Sequence, residues 1–237
     1  MALEPLKVAV IGSGPAGLGC ADQLRRLGYD VTVFERDDRP GGLLMYGVPN
    51  IKLPKDLLME KIMDLKAQGV KFELNWELNS TEDFEKLQKD FAAVVLCVGG
   101  RKAKGLPGIQ VDNKQIYHAK DFLTEVTKDM LNGTELANLK DKDVVIIGGG
   151  DTGVDCAAIA LAQGARTVHQ LEMQECDATA NSARDNLCNI VIGDYTISYG
   201  TMMKRLLRNE EGKLKAVEVA QVEWRSERSG ALPDAME

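Results

Sequence analysis

The chain has 237 residues, 44% hydrophobic and 27% charged, with a net charge of −7 and a sequence pI near 5.1. That length holds one large domain or two small ones beneath an ordinary soluble surface. The acidic balance excludes nucleic acid as a partner, because binding phosphates needs a basic face.

In chain order, two segments share one grammar. Lys7–Ile11 reads as a short strand, followed by a glycine loop from Gly12 to Gly17. A helix then places Leu18, Ala21, Leu24 and Leu27 at a spacing of three and stops at Gly28. Val31–Phe34 is the next strand. Pro54 opens a second helix carrying Leu57, Leu58, Ile62 and Leu65, closed by Gly69. Val70–Leu74 reads as a strand, and Ser80 and Thr81 cap a short helix that ends before Phe91. Ala92–Val98 is a nearly unbroken apolar run, the pattern of a buried parallel strand, and it ends at Gly99 and Gly100. Residues 101–140 are polar and mixed, and read as a crossover.

The second copy begins with strand Val144–Ile147 and the glycine loop Gly148–Gly153. A helix with Val154, Ala157, Ala158 and Leu161 follows, then a stop at Gly164 and a strand Thr167–Leu171. Each copy is a βαβ unit of about 30 residues. Residues 174–200 show a poor pattern. A meander comes next, with Asn209–Lys213 as the turn and the last strand ending near Trp224. The expected fold is α/β, with two Rossmann-like dinucleotide-binding domains.

The first loop, Gly12-Ser13-Gly14-Pro15-Ala16-Gly17, has the spacing of a phosphate cradle. Gly12 allows the tight turn, Gly14 lets backbone approach a pyrophosphate, and Gly17 lets helix and strand pack closely. The helix N-terminus offers free N–H groups to the anion. Glu35, at the next strand end about 20 residues on, is placed to accept hydrogen bonds from ribose hydroxyls. Gly148-Gly149-Gly150-Asp151-Thr152-Gly153 repeats the logic, with Glu172 in the corresponding place. Asp151 would repel a pyrophosphate, so its carboxylate is expected to turn back onto backbone N–H groups. Asp155 suits the helix dipole equally well. A carboxylate at Glu172, with no basic residue between Gln170 and Glu175, favours the free 2′-hydroxyl of NADH over the 2′-phosphate of NADPH.

Beyond Glu35 and Arg36 comes the run GGLLMYGVPNIKL from Gly41. Together with VVLCVGG, VVIIGGGDTGVDC and QLE, it closely resembles the NAD(P)H–FAD subunit of glutamate synthase. A looser similarity extends to the electron-input domain of dihydropyrimidine dehydrogenase and to adrenodoxin-reductase-like enzymes. The resemblance covers most of residues 6–172 and resumes at 211–224. It implies a glutathione-reductase-like plan, with an FAD-binding domain over residues 1–115 and an NAD(P)H-binding domain over 116–237. Gly12, Gly14, Gly17, Glu35, Arg36, Gly42, Leu43 and Gly99 would then contact FAD. Gly148, Gly150, Thr152, Gly153 and Glu172 would hold NADH, or NADPH. The family passes hydride from the nicotinamide to the flavin and electrons onward to iron–sulfur clusters, so the implied partner is a large glutamate synthase subunit or domain carrying such clusters. The cofactors carry the chemistry, and no catalytic side chain is expected.

Relative to that family, an N-terminal cysteine-rich region and a C-terminal closing segment with a flavin-binding Gly-Asp are not in the sequence. Residues 101–108 also depart from the usual Pro-Arg pair. The expectation is therefore a chain truncated at both ends, with Val144–Ile147 as an unpaired edge. The alternative to an active reductase is a catalytically incomplete remnant, or a fragment completed by a partner.

Cys20, Cys97, Cys156, Cys176 and Cys188 form no CxxC, which argues against a zinc ribbon or a stand-alone disulfide reductase. No metal or cluster ligands are expected in this chain. The scattered cysteines point to a reducing compartment, and no apolar run has the length of a membrane span. With a strand starting almost at the N-terminus, the expected location is cytoplasmic. Trp76, Trp224, His118 and His169 read as structural residues, and Arg184 and Asp185 as a solvated loop.

Overall fold

The computed structural model describes residues 4–100, 103, 105, 106, 109–112, 114–134, 139–175, 194–223 and 234–236. The chain divides into two compact units, Met1–Ile109 and Gln110–Glu237. The boundary falls inside the segment read as a crossover.

The first unit carries β1 (Lys7–Ile11), α1 (Pro15–Arg26), β2 (Asp30–Phe34), α2 (Leu43–Tyr46), α3 (Lys55–Ala67), β3 (Lys71–Glu73), α4 (Thr81–Asp90) and β4 (Ala93–Leu96). Its sheet has the order β3-β2-β1-β4, with β1 parallel to both β2 and β4. Alternation along a strand sends neighbouring side chains to opposite faces. Val10, Val31 and Val33 accordingly pack with Ala21 of α1 and Leu65 of α3. Ala9 and Ile11 pack with Leu87 of α4. Phe34 joins that second layer, 4.7 Å from the Trp76 ring centroid and 5.7 Å from Phe91. Trp76 is thus a packing residue. Helix α4 begins with a reciprocal capping box: Ser80 accepts from the Asp83 N–H, and Asp83 accepts from the Ser80 N–H.

One expectation for this unit needs correcting. The apolar run read as a buried strand forms only the four residues of β4, and among the described residues it lies at the sheet edge. Leu96 is 58% exposed and Val98 54%. An apolar run reports that a strand can be buried on both faces. It does not report whether a further strand lies beside it.

The second unit contains α5 (Ala119–Asn132), β5 (Asp143–Ile147), α6 (Asp151–Ala162), β6 (Thr167–Leu171), β7 (Asp194–Ser198), β8 (Thr201–Arg208), β9 (Leu214–Glu223) and β10 (Asp234–Met236). Strands β5, β6 and β7 form a parallel sheet in that order, and β8, β9 and β10 a separate antiparallel sheet. Its core joins Val154, Ala157, Ala160 and Leu161 of α6 to Val168, with Val144, Ile146 and Tyr195 against them. Strand β5 pairs on one side only among the described residues, and Val145 and Ile147 are 42% and 44% exposed.

Two elements fall where no regular structure was expected. Helix α5 lies inside the crossover segment, with Leu123, Val126 and Thr127 buried and Gly133 in the left-handed conformation at its end. Strand β7 lies inside the segment of poor pattern and pairs with all of β6.

Candidate functional site

Both glycine loops are built alike from the strand outward. The Gly12 N–H donates to Phe34 O at 2.8 Å, and the Gly148 N–H donates to Leu171 O at the same distance. Gly12 has φ +99° and Gly148 φ +113°, a region that L side chains avoid. The last glycine of each loop is sterically obligatory. A Cβ on Gly17 would lie 1.9 Å from Gly12 O, and one on Gly153 2.3 Å from Gly148 O. The middle glycines differ in kind. Gly14 and Gly150 have extended backbone, cap α1 and α6 without a side-chain hydrogen bond, and point their missing Cβ into open space.

The strand-end carboxylates are engaged in the same manner in both units. Glu35 is buried; its Oε2 accepts from the Ser13 N–H at 3.0 Å and from the Ser13 hydroxyl, and its Oε1 from the Asp37 N–H at 2.9 Å. Glu172 is half-buried, and its oxygens accept from the Gly149 N–H and, at 2.8 Å, from the Gln174 N–H. Each carboxylate therefore ties the second residue of its loop to the chain two residues beyond itself. The sequence reading assigned these oxygens to ribose alone. A carboxylate has about four acceptor sites, so two or three such bonds leave room for a hydroxyl.

The first unit adds a second layer over its loop. Ser13 is fully buried, and its hydroxyl also accepts from the Gly41 N–H at 2.9 Å. A Cβ on Gly42 would lie 2.9 Å from the Gly14 Cα, so the segment from Gly41 to Gly47 lies directly on the first loop. Lys55 anchors that segment from below. Its side chain is buried, its ammonium donates to Leu44 O at 2.8 Å and to Val48 O, and burial holds its pKa below the usual lysine value. Tyr46 is also buried; its hydroxyl donates to Asp38 and accepts from Arg39, and burial together with the Asp38 bond pushes its pKa up to about 12.

The other expected site residues fall as follows. Leu43 is exposed beside Gly42, and Arg36 is exposed with only distant ion pairs to Asp37 (3.8 Å) and Glu77 (3.9 Å). Gly99 is exposed at φ +68°, just past β4. Thr152 is exposed in the first turn of α6. The Asp151 expectation is corrected: its carboxylate is exposed and makes no hydrogen bond to a loop N–H among the described residues. Glu172 holds the loop instead, and the first position of a helix leaves an acid free in solvent beside the positive end of the dipole. Asp155 is buried one turn further on.

His169 meets Ser198 Oγ at 2.8 Å, and His118 occupies the N-cap position of α5 without a side-chain capping hydrogen bond. Trp224, Arg184 and Asp185 lie outside the described residues. Burial and the Asp155 charge push the Cys156 thiol up to about 12, which leaves it inert. Among the described residues, no group of three His, Cys, Asp or Glu side chains is arranged for a metal ion. No helix there is long and apolar enough to cross a membrane.

Ser13, Lys55 and Gln170 were not singled out from sequence. Gln170 is fully buried; its Nε2 donates to Gly148 O at 2.6 Å, and its Oε1 accepts from the Tyr195 hydroxyl at 2.7 Å. Strand β6, Thr-Val-His-Gln-Leu, also carries Thr167 and His169, so its pattern does not single out Gln170.

A family model described as pyridine nucleotide-disulphide oxidoreductase matches residues 6–210. The small chain of glutamate synthase [NADPH] from Bacillus subtilis is 47% identical over 168 residues, covering 69% of this chain and 34% of that one. Glutamate synthase [NADH] from Saccharomyces cerevisiae is 36% identical over 242 residues, covering 94% of this chain and 11% of that one. The chain thus spans about a third of the bacterial relative and a tenth of the yeast one. Among solved structures, Mycobacterium tuberculosis FprA in complex with NADPH superposes with a TM-score of 0.72 at 14% identity, covering 98% of this chain and 67% of that one. Thioredoxin reductase from Lactococcus lactis gives 0.60 at 16% identity, covering 97% of this chain and 74% of that one. At those identities the likeness is one of fold.

Proposed function

Because the chain belongs to the pyridine nucleotide-disulphide oxidoreductase family, we propose that its first unit holds FAD, its second holds NADH, and the pair forms the electron-input part of a glutamate synthase. The observation that carries this reading is the duplication of the cradle. Each unit has an uncapped helix N-terminus, a middle glycine facing open space and a strand-end carboxylate fixed against the loop. A helix N-terminus with free N–H groups suits a pyrophosphate, and backbone with no side chain in front of it allows close approach.

In the first unit, Gly12, Gly14 and Gly17 shape the cradle, Glu35 offers its remaining acceptor sites to the ribose, and Arg36, Gly42, Leu43 and Gly99 flank the flavin side. In the second, Gly148, Gly150, Thr152 and Gly153 receive the pyrophosphate, and Glu172 receives the ribose. When both cofactors are bound, they supply the transfer of hydride from nicotinamide to flavin. The protein's share is to bind, orient and select. Selection falls to Glu172, whose charge opposes a 2′-phosphate; Arg166, the nearest arginine in sequence, pairs with Asp143 at the opposite end of the strands. The names of the relatives divide between NADPH and NADH, so this residue is the point at which the choice is tested. A large glutamate synthase subunit or domain, with iron–sulfur clusters, is the proposed acceptor of the electrons.

Anaerobic addition of NADH to the flavin-loaded protein tests the reading. Visible flavin absorbance should bleach with NADH faster than with NADPH, and Glu172→Ala should narrow that difference. Flavin that neither nucleotide reduces would count against the electron-input role.

A further inference from the structure

The two loops are held by different means. In the first, a Cβ on Gly12 would lie 2.4 Å from Cys97 O, so the chain leaving β4 presses on the turn. The buried Ser13 hydroxyl then ties that loop to Gly41. The second loop has neither support. A Cβ on Gly148 would meet nothing within 4 Å, and position 149 is a glycine without a hydroxyl.

Gln170 stands where the first unit has Val33. Gln170 pairs with Ile146 across the sheet as Val33 pairs with Val10, and each lies two residues before its strand-end glutamate. Both are fully buried, and burying an amide without hydrogen bonds is costly, so its presence there calls for a physical reason. The reason is visible in one peptide group. Gln170 Nε2 donates to the Gly148 carbonyl, while the Glu172 carboxylate accepts from the Gly149 N–H. Carbonyl and N–H belong to the same peptide bond, so two side chains from one strand grip both ends of one rigid plane. The Tyr195 hydroxyl, from β7, donates to Gln170 Oε1 and fixes which end of the amide faces the loop. Gly153 makes room for this: a Cβ there would lie 2.4 Å from Gln170 Nε2.

We propose that Gln170, oriented by Tyr195, is the positioning residue of the second dinucleotide site, fixing the Gly148–Gly149 peptide so that Gly150 and the N-terminus of α6 face the pyrophosphate. This rests on the reading of the second loop as the nicotinamide site. Because the pyrophosphate is common to both nucleotides, Gln170 governs affinity for NADH and NADPH equally, whereas Glu172 governs their ratio.

The test uses the flavin-loaded full chain and measures dissociation constants of NADH and NADPH for Gln170→Leu, Gln170→Glu, Tyr195→Phe and Gly150→Val. Gln170→Leu should weaken both nucleotides about tenfold, in the range of one neutral hydrogen bond, with their ratio and the flavin content unchanged. Tyr195→Phe should weaken both by a smaller factor. Gln170→Glu separates positioning from mere packing. Its protonated form can donate to the Gly148 carbonyl, whereas its carboxylate would face that oxygen without a proton. Relative to the parent at each pH, its NADH affinity should recover as pH falls and decline as pH rises.

Parent-like binding of both nucleotides by Gln170→Leu, or a Gln170→Glu profile parallel to the parent's, overturns the proposal. If Gln170→Leu does not fold, the Gln170→Glu profile and Tyr195→Phe decide. Gly150→Val separates the two layers of argument. Loss of nucleotide in that variant with unchanged binding in Gln170→Leu removes only the positioning role; unchanged binding in Gly150→Val removes the nucleotide site itself.

Discussion

The two units begin from the same strand, loop, helix and strand, yet their loops are held by different contacts. In the first, β1 is flanked on both sides, and the loop is compressed between Cys97 and the segment from Gly41 to Gly47. In the second, among the described residues, β5 is an edge strand, no atom lies within 4 Å of a Cβ placed on Gly148, and side chains from β6 hold the loop. A shared motif therefore specifies where an anion is received. The strand-end glutamate of the motif holds each loop, and the further contacts that hold it come from neighbours the motif does not contain.

The largest effect expected from this contrast concerns the first glycines. Gly12→Ala combines a positive φ with backbone oxygen 2.4 Å from the new Cβ, and should prevent the first unit from folding. Gly148→Ala, at φ +113° with no atom near the new Cβ, meets only the conformational cost, about 1–3 kcal/mol. Urea unfolding of the two variants checks this, and equal losses would erase the distinction between a compressed and an open loop.

Next is Ser13→Ala, which strips the buried Gly41 N–H of its acceptor and Glu35 of one donor. The expected cost is about 1–3 kcal/mol, with flavin lost before nucleotide. The reciprocal Gly149→Ser should not transplant the support, because its Cβ would lie 2.4 Å from Glu172 Oε2. Thermal unfolding of both variants, with each ligand added, tells whether the hydroxyl's value is local to the first unit.

The smallest effect lies at Tyr46. Folding raises its phenol to about 12 from an ordinary value of 10.0, so the folded state retains a proton that the unfolded chain releases. Its contribution is full below pH 10 and is lost as pH rises toward 12. The stability difference between the parent and Tyr46→Phe should shrink across that window, and a constant difference would show that the hydroxyl contributes nothing specific to the protonated form.

Much of this architecture was legible because local pattern and tertiary role agree. Thr167–Leu171 is a strand with the expected bounds, Gly28, Gly69 and Gly164 all adopt positive φ beyond their helices, and Ser80 caps α4. Helix α5 was missed although Leu123, Val126 and Met130 have helical spacing, because the lysines, acids and threonines between them dilute the apolar signal. Strand β7, Asp-Tyr-Thr-Ile-Ser, places only Tyr195 and Ile197 at alternate positions, and its partner β6 is what makes it a strand. The ribose contact proposed for Glu35 and Glu172 rests on spacing. Their grip on the loops is not legible in spacing, since a hydrogen bond to Ser13 or Gly149 depends on where backbone N–H groups point. Gln170 and Lys55 were hidden for the same reason: a buried polar side chain is explained by the carbonyl in front of it, and sequence does not show that carbonyl.

Paired substitutions at the two middle glycines test whether the chain holds two separate cradles, one for each cofactor. Gly14 and Gly150 have extended backbone and nothing within 4 Å of a new Cβ, so at both positions an added side chain starts into open space. The measurement is bound FAD by absorbance after gel filtration, together with NADH affinity, for Gly14→Val and Gly150→Val. Gly14→Val should lose FAD while retaining NADH, and Gly150→Val should lose NADH while retaining FAD. Two folded variants that bind both cofactors as the parent does would contradict the two-cradle reading.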